Sequence, residues 1–314
     1  MIVTLTANPS LDRTITLADA LMPGEVQSAV SAREDAGGKG INVARVVAAA
    51  GVDTLAVLPL AEDDPFDAAL RASRVPVQRV PIEGHVRANV TITDPNGVTT
   101  KLNLPGAELS EIDVQATIDA VVAESDGAAW LVLAGSLPPG AHDGFYVDVI
   151  RAVRARWGST APRIAVDTSG AALAAVVAHG RPDLIKPNDE ELAELVGTAL
   201  DDEADAAAVL AVARQLVPTQ VGAALVTLGS RGAVLVTADG AWAGMPPRIR
   251  VTSTVGAGDS SLAGYLLADV ALATPAERLR RSIRYGAAAA SLPGTQAPSP
   301  LDLPPGEVVI TTLA

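Results

Sequence analysis

The apolar positions of the chain fall into two kinds of segment that alternate. Short β-branched runs are apolar throughout, as in strands covered on both faces, whereas longer Ala-rich segments carry charges at helical intervals. The predicted strands are Ile2–Thr6, Thr54–Leu58, Trp130–Ala134, Arg163–Asp167, Asp183–Ile185 and Ala223–Thr227. The predicted helices are Lys39–Ala50, Glu111–Ala123, Gly144–Trp157, Gly170–Ala178, Asn188–Val196, Ala204–Leu216, Asp259–Val270 and Ala276–Ala290. This alternation predicts an α/β fold, a three-layer α/β/α sandwich around a mostly parallel central sheet.

Two stretches interrupt the alternation because no helix separates their predicted strands. Thr14–Leu17 is followed by Val26–Val30, and Arg87–Thr93 is joined to Val98–Leu104 by the turn sequence DPNG at Asp94–Gly97. We expect a small antiparallel sheet, with strands from about 12–30 and 86–104, that forms a lid excluding water from a reaction. An ordinary edge hairpin is the alternative. The chain contains no linker-like tract, so a single domain over residues 1–314 is expected.

The amino-acid composition of the chain excludes several classes of function. The 314 residues include 23 Lys+Arg and 36 Asp+Glu, a net charge of −13, and the absence of any basic run excludes binding to nucleic acid. The lack of cysteine excludes disulfides, thiolate metal sites and cysteine nucleophiles. No basic leader or membrane-length apolar run is visible, so we expect a soluble cytoplasmic protein with no membrane partner.

The segment Thr252–Ala268 passes from a β-like run into a helix through Gly256, Ala257 and Gly258. Glycine lets backbone N–H groups converge, and a helix N-terminus adds partial positive charge, so the segment predicts an anion hole. Asp259 stands at the mouth of that hole, where a carboxylate can accept a proton from a substrate hydroxyl. The alternative is that Asp259 only caps the helix.

A second glycine-rich turn precedes an almost wholly apolar helix. Gly37 and Gly38 allow close backbone approach to a ligand, Lys39 suits a phosphate, and Asn42 suits sugar hydroxyls. A tight turn with a solvated lysine is the alternative. An apolar helix is buried, however, so polar groups at its start need partners.

Two further segments are compatible with a nucleotide site. Asn188 and Glu191 have the spacing of a capping box, and they are equally placed to hold magnesium or its waters beside a nucleotide phosphate. Thr227, Gly229 and Gly232 belong to a strand–turn–strand segment that forms a plain hairpin or lines a nucleotide.

Polar side chains at strand ends and on the lid predict a second ligand. Asp12 and Ser136 follow predicted strands, and open α/β sheets bind ligands at the carboxyl ends of strands. Alternation puts Arg87 and Asn89 on one face of a lid strand, and Lys101 lies on the next strand. Together with the lysine of the GGKG turn they form a basic patch for a small anionic substrate, unless the lid charges are simply solvated.

Several motifs, in order along the chain, resemble those of one family. GGKGINVA at Gly37–Ala44 and TVGAGDS at Thr254–Ser260 resemble the two signatures of the ribokinase-like (PfkB) sugar kinases. TLTANPSLDRTITL, GEV, TTKLNLPG, GSLPPG, IKPNDEEL and VTLGSRGA resemble further segments of the family, so that the resemblance covers essentially the whole chain. It implies a ribokinase-like fold and transfer of the γ-phosphoryl of ATP, with Mg²⁺, to a sugar hydroxyl. The lysine of GGKG, the opening NPSLDRT and the segment TKLNLPG resemble the phosphosugar branch of the family, which includes 1-phosphofructokinase, tagatose-6-phosphate kinase and the minor 6-phosphofructokinase. The chain as a whole is most similar to the 1-phosphofructokinases, which convert fructose 1-phosphate to fructose 1,6-bisphosphate.

The resemblance also implies individual roles. Asp259 is the general base, and the amides of Gly256, Ala257 and Gly258 stabilise the transferring phosphoryl group. The residues implied for the phosphosugar are Asp12, Gly38, Lys39, Asn42, Arg87, Asn89, Lys101 and Ser136. Those implied around ATP are Lys186, Asn188, Glu191, Thr227, Gly229, Gly232, Ala288 and Ser291, with Glu191 (through water) and Asn188 at the metal.

Two departures from the family pattern leave the substrate open. Gln27-Ser28 stands where the phosphosugar branch often has Asn-Arg, and Thr91 stands where the lid pattern Arg-x-Asn-x-Lys has its lysine. Each lost phosphate contact costs about 1.5–3 kcal/mol if nothing replaces it. Tagatose 6-phosphate, fructose 6-phosphate and a less phosphorylated sugar therefore remain alternative substrates. A non-catalytic sugar-phosphate sensor remains the alternative from another class, although it would not need Asp259. An exposed lid sheet needs covering, which favours a homodimer through the lid.

Overall fold

The secondary structure comes from a computed structural model that describes residues 1–198 and 205–314. The strands are β1 (Ile2–Thr6), β2 (Ser10–Leu17), β3 (Ala29–Gly37), β4 (Thr54–Pro59), β5 (Val77–Val80), β6 (Arg87–Thr93), β7 (Thr99–Asn103), β8 (Trp130–Ala134), β9 (Arg163–Asp167), β10 (Leu184–Ile185), β11 (Ala223–Thr227), β12 (Ala233–Thr237), β13 (Ala241–Met245) and β14 (Val309–Leu313). The helices are α1 (Lys39–Ala49), α2 (Phe66–Ser73), α3 (Glu111–Glu124), α4 (Phe145–Trp157), α5 (Gly170–His179), α6 (Asp189–Val196), α7 (Ala206–Ala213), α8 (Ala257–Val270) and α9 (Pro275–Ser291).

The main sheet has ten strands in the order β14-β13-β12-β11-β10-β9-β8-β1-β4-β5. Strands from β5 to β11 run parallel, and β12, β13 and β14 add antiparallel pairs at one edge. The chain places β4 and β5 on one side of β1 and then β8 to β14 on the other side, so the direction of strand addition reverses at β1. Ligands of open α/β sheets bind at the carboxyl ends of strands around such a reversal.

Two helical layers cover the sheet. Helices α1, α8 and α9 pack with one face in a buried cluster that includes Val43, Leu262 and Ile283. Helices α3 to α7 pack on the other face with residues such as Phe145 and Val176. Both central strands β1 and β8 are buried at every residue, as expected of strands that helices cover on both faces. The predicted three-layer α/β/α fold is confirmed.

A second sheet has the order β3-β2-β6-β7 and stands apart from the first. Its outer pairs are antiparallel, and its two hairpins meet through the parallel pair β2–β6. The prediction of Val26–Val30 was wrong in position, since the strand starts at Ala29 and continues to Gly37. The side chains of β3 are exposed through Glu34 on both faces, so no apolar alternation marks this strand. β3 is instead defined by its antiparallel backbone pairing with β2.

The remaining differences are short or peripheral elements. α2 and the strands β5, β13 and β14 were not predicted; the strands lie at or next to the edges of the main sheet, and they are ordered by pairing with their neighbours. Ala204, the predicted start of one helix, lies outside the described residues, and within them α7 begins at Ala206. No helix in 1–198 or 205–314 is long and apolar enough to cross a membrane.

Candidate active site

The turn before α8 has the backbone geometry that an anion hole requires. Gly256 has a positive φ of 76° and immediately precedes the helix, and no side chain caps the helix start. A helix start without a cap leaves first-turn N–H groups available to a ligand. Capping therefore does not explain Asp259, whose side chain points elsewhere.

Asp259 is buried beside α1. Its Oδ2 accepts a hydrogen bond of 2.8 Å from Nδ2 of Asn42. Burial and the nearby charge of Asp167 raise the pKa of Asp259 to about 6. Oδ1 of Asn42 is itself buried without a partner among the described residues, as expected of a group that faces a ligand. A carboxylate with this pKa is ionised at pH 7 and is still a usable base.

Asp167, which the sequence analysis did not select, connects the two lysines of the site. Its Oδ1 accepts a hydrogen bond of 2.7 Å from Nζ of Lys39, and its Oδ2 lies 3.0 Å from Nζ of Lys186. Burial alone would raise the pKa of Asp167, but the two ammonium groups outweigh it and lower the pKa. Asp167 ends a buried parallel strand, the same signal that selected Asp12, so the sequence could have revealed it.

The second lysine reaches the anion hole. A Cβ added at Gly258 would lie 3.1 Å from Nζ of Lys186, so the ammonium group sits over the first turn of α8. Lys186 is buried, and Lys39 is partly exposed toward the cleft. The structure thus brings Asp259, Asn42, Lys39 and Lys186 together around Asp167.

The lid contributes a second polar group. Oδ1 of Asp12 accepts hydrogen bonds from Oγ of Ser10 (2.7 Å) and Nδ2 of Asn89 (3.0 Å), and burial raises the pKa of Asp12. A Cβ at Gly37 would lie 2.2 Å from Oδ2 of Asp12, so only glycine fits there. Gly38 has a φ of 120° at the start of α1. The lid carboxylate therefore lies against the GGKG turn.

Arg87 and Asn89 share the Asp12 face of the lid, as alternation predicted. Nη2 of Arg87 donates to the carbonyl of Asn8 (3.3 Å), and burial lowers the pKa of Arg87. Nε of Arg87 and Oδ1 of Asn89 are buried without partners among the described residues. Lys101 is exposed on β7, and Ser136 is exposed just after β8. Within residues 1–198 and 205–314, neither side chain makes a hydrogen bond or ion pair that positions it.

Two residues predicted at the nucleotide site, Asn188 and Glu191, lie at the start of α6. Asn188 and Glu191 form a capping box, in which Oδ1 of Asn188 accepts from the Glu191 amide (2.7 Å) and Oε2 of Glu191 accepts from the Asn188 amide (3.0 Å). One carboxylate oxygen of Glu191 stays outside this pair. Mg²⁺ is commonly held by one or two carboxylates together with phosphates and waters, which fits a single free oxygen. The described residues contain no cluster of three acidic, His or Cys ligands.

The turn between β11 and β12, also predicted to line the nucleotide, leaves open space beside one of its two glycines. A Cβ at Gly229 (φ 57°) would meet nothing within 4 Å, whereas one at Gly232 would lie 1.9 Å from the carbonyl of Gly244, so Gly232 serves packing. Thr227 pairs with Asn188 across the sheet edge.

Two residues predicted beside the nucleotide lie near the end of α9. Oγ of Ser291 donates to its own helix, and Ala288 is fully buried. The side chain of Ala288 is buried, and its place beside the nucleotide stays a prediction.

Comparison with known proteins identifies the family. The sequence model of the pfkB family carbohydrate kinases matches residues 6–301. The chain belongs to this family. A 1-phosphofructokinase of Xanthomonas campestris is 35% identical over 285 residues, covering 89% of this chain and 87% of the relative. A 1-phosphofructokinase of Rhodobacter capsulatus is 36% identical over 314 residues, covering 95% and 93%.

Solved structures give the same result for this PfkB-family kinase. Phosphofructokinase-2 from Escherichia coli, crystallised in complex with substrates and products, matches with a TM-score of 0.87 at 31% identity, covering 96% of each chain. The ribokinase-like fold and the kinase reaction are therefore properties of this chain: it is an ATP-dependent carbohydrate kinase.

Proposed function

We propose that this kinase transfers the γ-phosphoryl group of ATP to fructose 1-phosphate, giving fructose 1,6-bisphosphate, with Asp259 as general base. The observation that carries the proposal is the buried Asp259 carboxylate beside an uncapped helix start and two lysines. The substrate assignment is supported by the GGKG lysine, the lid arginine and the 1-phosphofructokinase relatives. We place the enzyme in the cytoplasm, as expected from its sequence and from its metabolic kinase relatives.

The reaction is an in-line phosphoryl transfer. Asp259 accepts the proton of the attacking sugar hydroxyl while the oxygen–phosphorus bond forms and the bond to ADP breaks. Asn42 holds Asp259 toward the hydroxyl. The amides of Gly256, Ala257 and Gly258 stabilise negative charge on the moving phosphoryl group, together with Lys186.

The remaining residues bind the two substrates. The sugar hydroxyls contact Asp12, Asn89 and Gly38, and the anionic end of the sugar contacts Arg87 and Lys101, with Lys39 and Ser136 beside it. Thr227, Gly229 and Ser291 lie around ATP. Glu191, through water, and Asn188 would hold Mg²⁺, which supplies charge neutralisation at the ATP phosphates when bound.

A single substrate panel tests this function. ADP release with Mg·ATP is measured against fructose 1-phosphate, tagatose 6-phosphate, fructose 6-phosphate, fructose and ribose. We expect the highest kcat/KM with fructose 1-phosphate. Preference for another phosphosugar would retain the mechanism and change the substrate. Turnover only of free sugars would contradict the phosphosugar assignment, and tight binding without any turnover would indicate the sugar-phosphate sensor.

The lid supports a further proposal, a homodimer. Val30, Val98 and Leu102 are 67%, 61% and 54% exposed on or beside the small sheet, an apolar surface that a second copy would cover. We expect light scattering to give twice the chain mass of 31.8 kDa. Leu102→Lys places a charge on this surface and is expected to give the monomer mass. A monomeric parent protein would refute the proposal.

A further inference from the structure

The loop that follows β8 turns its carbonyl groups toward the protein. Protein groups donate hydrogen bonds to the carbonyls of Gly135, Leu137, Pro138 and Pro139. By contrast, the amides of Ser136 and Leu137 donate to no group in residues 1–198 and 205–314. The loop therefore presents N–H groups on its free side, and main-chain N–H groups attract the oxygen atoms of an anionic ligand.

The carbonyl of Gly135 is held by two hydroxyl groups. The hydroxyl of Tyr146 on α4 donates to it at 3.0 Å, and Oγ1 of Thr168, directly after β9, donates to it at 2.8 Å. A carbonyl oxygen has two lone pairs, so these two donors satisfy it. Both side chains are buried. Burial and the nearby charge of Asp167 raise the pKa of Tyr146, which keeps its hydroxyl protonated and able to donate.

These two hydroxyls select the orientation of a peptide that could turn either way. Gly135 has a φ of 102°, and a Cβ added there would meet nothing within 4 Å, so its backbone conformation and not the space around it requires glycine. The C=O and N–H groups of one trans peptide point in opposite directions. Holding the carbonyl toward Tyr146 therefore directs the N–H group of Ser136 away from it. Ser136 is exposed, and its position depends on this backbone.

The loop lies between two parts of the candidate active site. The amide of Gly135 donates to the carbonyl of Asp167 at 2.9 Å, next to the carboxylate that joins the two lysines. The carbonyl of Leu137 accepts a hydrogen bond of 3.3 Å from Nδ2 of Asn8, and the carbonyl of Asn8 accepts one from Arg87 on the lid. The orientation of the loop is thus coupled to the region in which the sugar acceptor is proposed to bind.

We propose that Tyr146 and Thr168 are positioning residues of this kinase, which hold the peptide between Gly135 and Ser136 with its N–H group facing the sugar acceptor. The proposal rests on the proposed phosphosugar kinase activity. Both hydroxyls act through the backbone and touch no substrate. Without them the carbonyl of Gly135 would be buried with no donor, and the peptide would turn it toward the solvent of the cleft, where it repels an anionic acceptor.

The experiment removes each hydroxyl singly and then both together. Tyr146→Phe and Thr168→Val each leave one donor on the carbonyl of Gly135, so we expect KM for fructose 1-phosphate to rise only about 3-fold. In the double variant no donor remains, and the rise should be at least ~20-fold, more than the product of the single effects. KM for ATP stays within about twofold of the parent value in all three variants. Thr168→Ser retains the hydroxyl and should keep the parent KM for the sugar.

Tyr285→Phe is the matched control. Tyr285 is fully buried, as is Tyr146, but its hydroxyl has no hydrogen-bond partner within the described part of the chain. It packs in the core cluster of α8 and α9. Removing this hydroxyl should therefore leave KM for both substrates unchanged. All rates are measured well below the melting temperature of every variant, so that a loss of stability does not enter the comparison.

The possible results distinguish the positioning role from the proposed function. If the parent enzyme turns over fructose 1-phosphate and the double variant matches Tyr285→Phe, the positioning role is refuted while the proposed function stands. If the double variant only melts earlier, or if KM for ATP rises as much as KM for the sugar, Tyr146 and Thr168 are structural, which also refutes the role. If the parent enzyme turns over no phosphosugar, the proposed function fails and the positioning role fails with it.

Discussion

Asp259→Asn is expected to lower kcat by at least ~100-fold, the usual contribution of a general base, with KM for the phosphosugar little changed. Asparagine keeps the shape of the side chain and its contact with Asn42, but it cannot accept the hydroxyl proton. The measurement is steady-state ADP release at saturating Mg·ATP. Turnover within a few-fold of the parent would remove Asp259 from the role of base.

The pH dependence gives an independent readout of the same residue. The pKa of Asp259 is about 6, raised by burial and by Asp167, so kcat/KM falls below about pH 6 as the base becomes protonated. This acidic limb should be absent from the residual activity of Asp259→Asn. A limb that persists unchanged in the variant would belong to another group.

The same shift predicts a change in stability. The folded-state pKa of Asp259 lies above its unfolded value, so the native state binds more protons between about pH 4 and pH 6 and loses stability as pH rises through that window. Asp259→Asn removes the buried carboxylate, and with it the loss of stability that accompanies its ionisation. The variant should therefore unfold at a higher temperature than the parent at pH 8, and the difference should shrink toward pH 4.

Asp167→Asn is expected to lower both stability and activity. The substitution leaves the ammonium groups of Lys39 and Lys186 close together without their shared carboxylate. Removing one partner of a buried ion pair typically costs about 3–5 kcal/mol in the free energy of unfolding. Activity falls because both lysines lose their positions. The acidic limb moves below about pH 6, because burial still raises the pKa of Asp259 but the added effect of the Asp167 charge is gone.

A second buried carboxylate, Asp269, provides a control that distinguishes a role of Asp167 in activity from a role in stability alone. Asp269, at the other end of α8, is also fully buried and contacts Trp130, Arg163 and Arg278. Asp269→Asn should cause a comparable loss of stability, with kcat/KM and the acidic limb unchanged when measured well below its melting temperature. If Asp167→Asn behaves in the same way, Asp167 is structural only.

Much of the fold was predictable because parallel strands leave a local signature. β1, β8, β9 and β11 were predicted at their observed bounds, since strands covered on both faces are rich in apolar residues without polar alternation. β3 was misplaced because its exposed polar side chains carry no such signature. The helices were predicted within a few residues, although α2 was missed.

The site was predictable only in its parts. The glycine turns before α1 and α8, and the polar residues beside them, stand out locally because backbone conformation and helix ends follow from nearby residues. The capping box of Asn188 and Glu191 follows from a spacing of three residues. The burial of Ala288 was not predictable, because it depends on how α9 packs against the core.

By itself the sequence indicated the two glycine-rich turns, the Asp259 carboxylate beside one of them and the family to which the chain belongs. All of these are properties of short, contiguous segments. Only the tertiary structure decided that Asp167 joins Lys39 to Lys186, that Asn42 holds Asp259, and that Asn89 contacts Asp12. Those relations connect residues far apart in the chain, and they arise from strand register and from strands ending at one edge of a sheet.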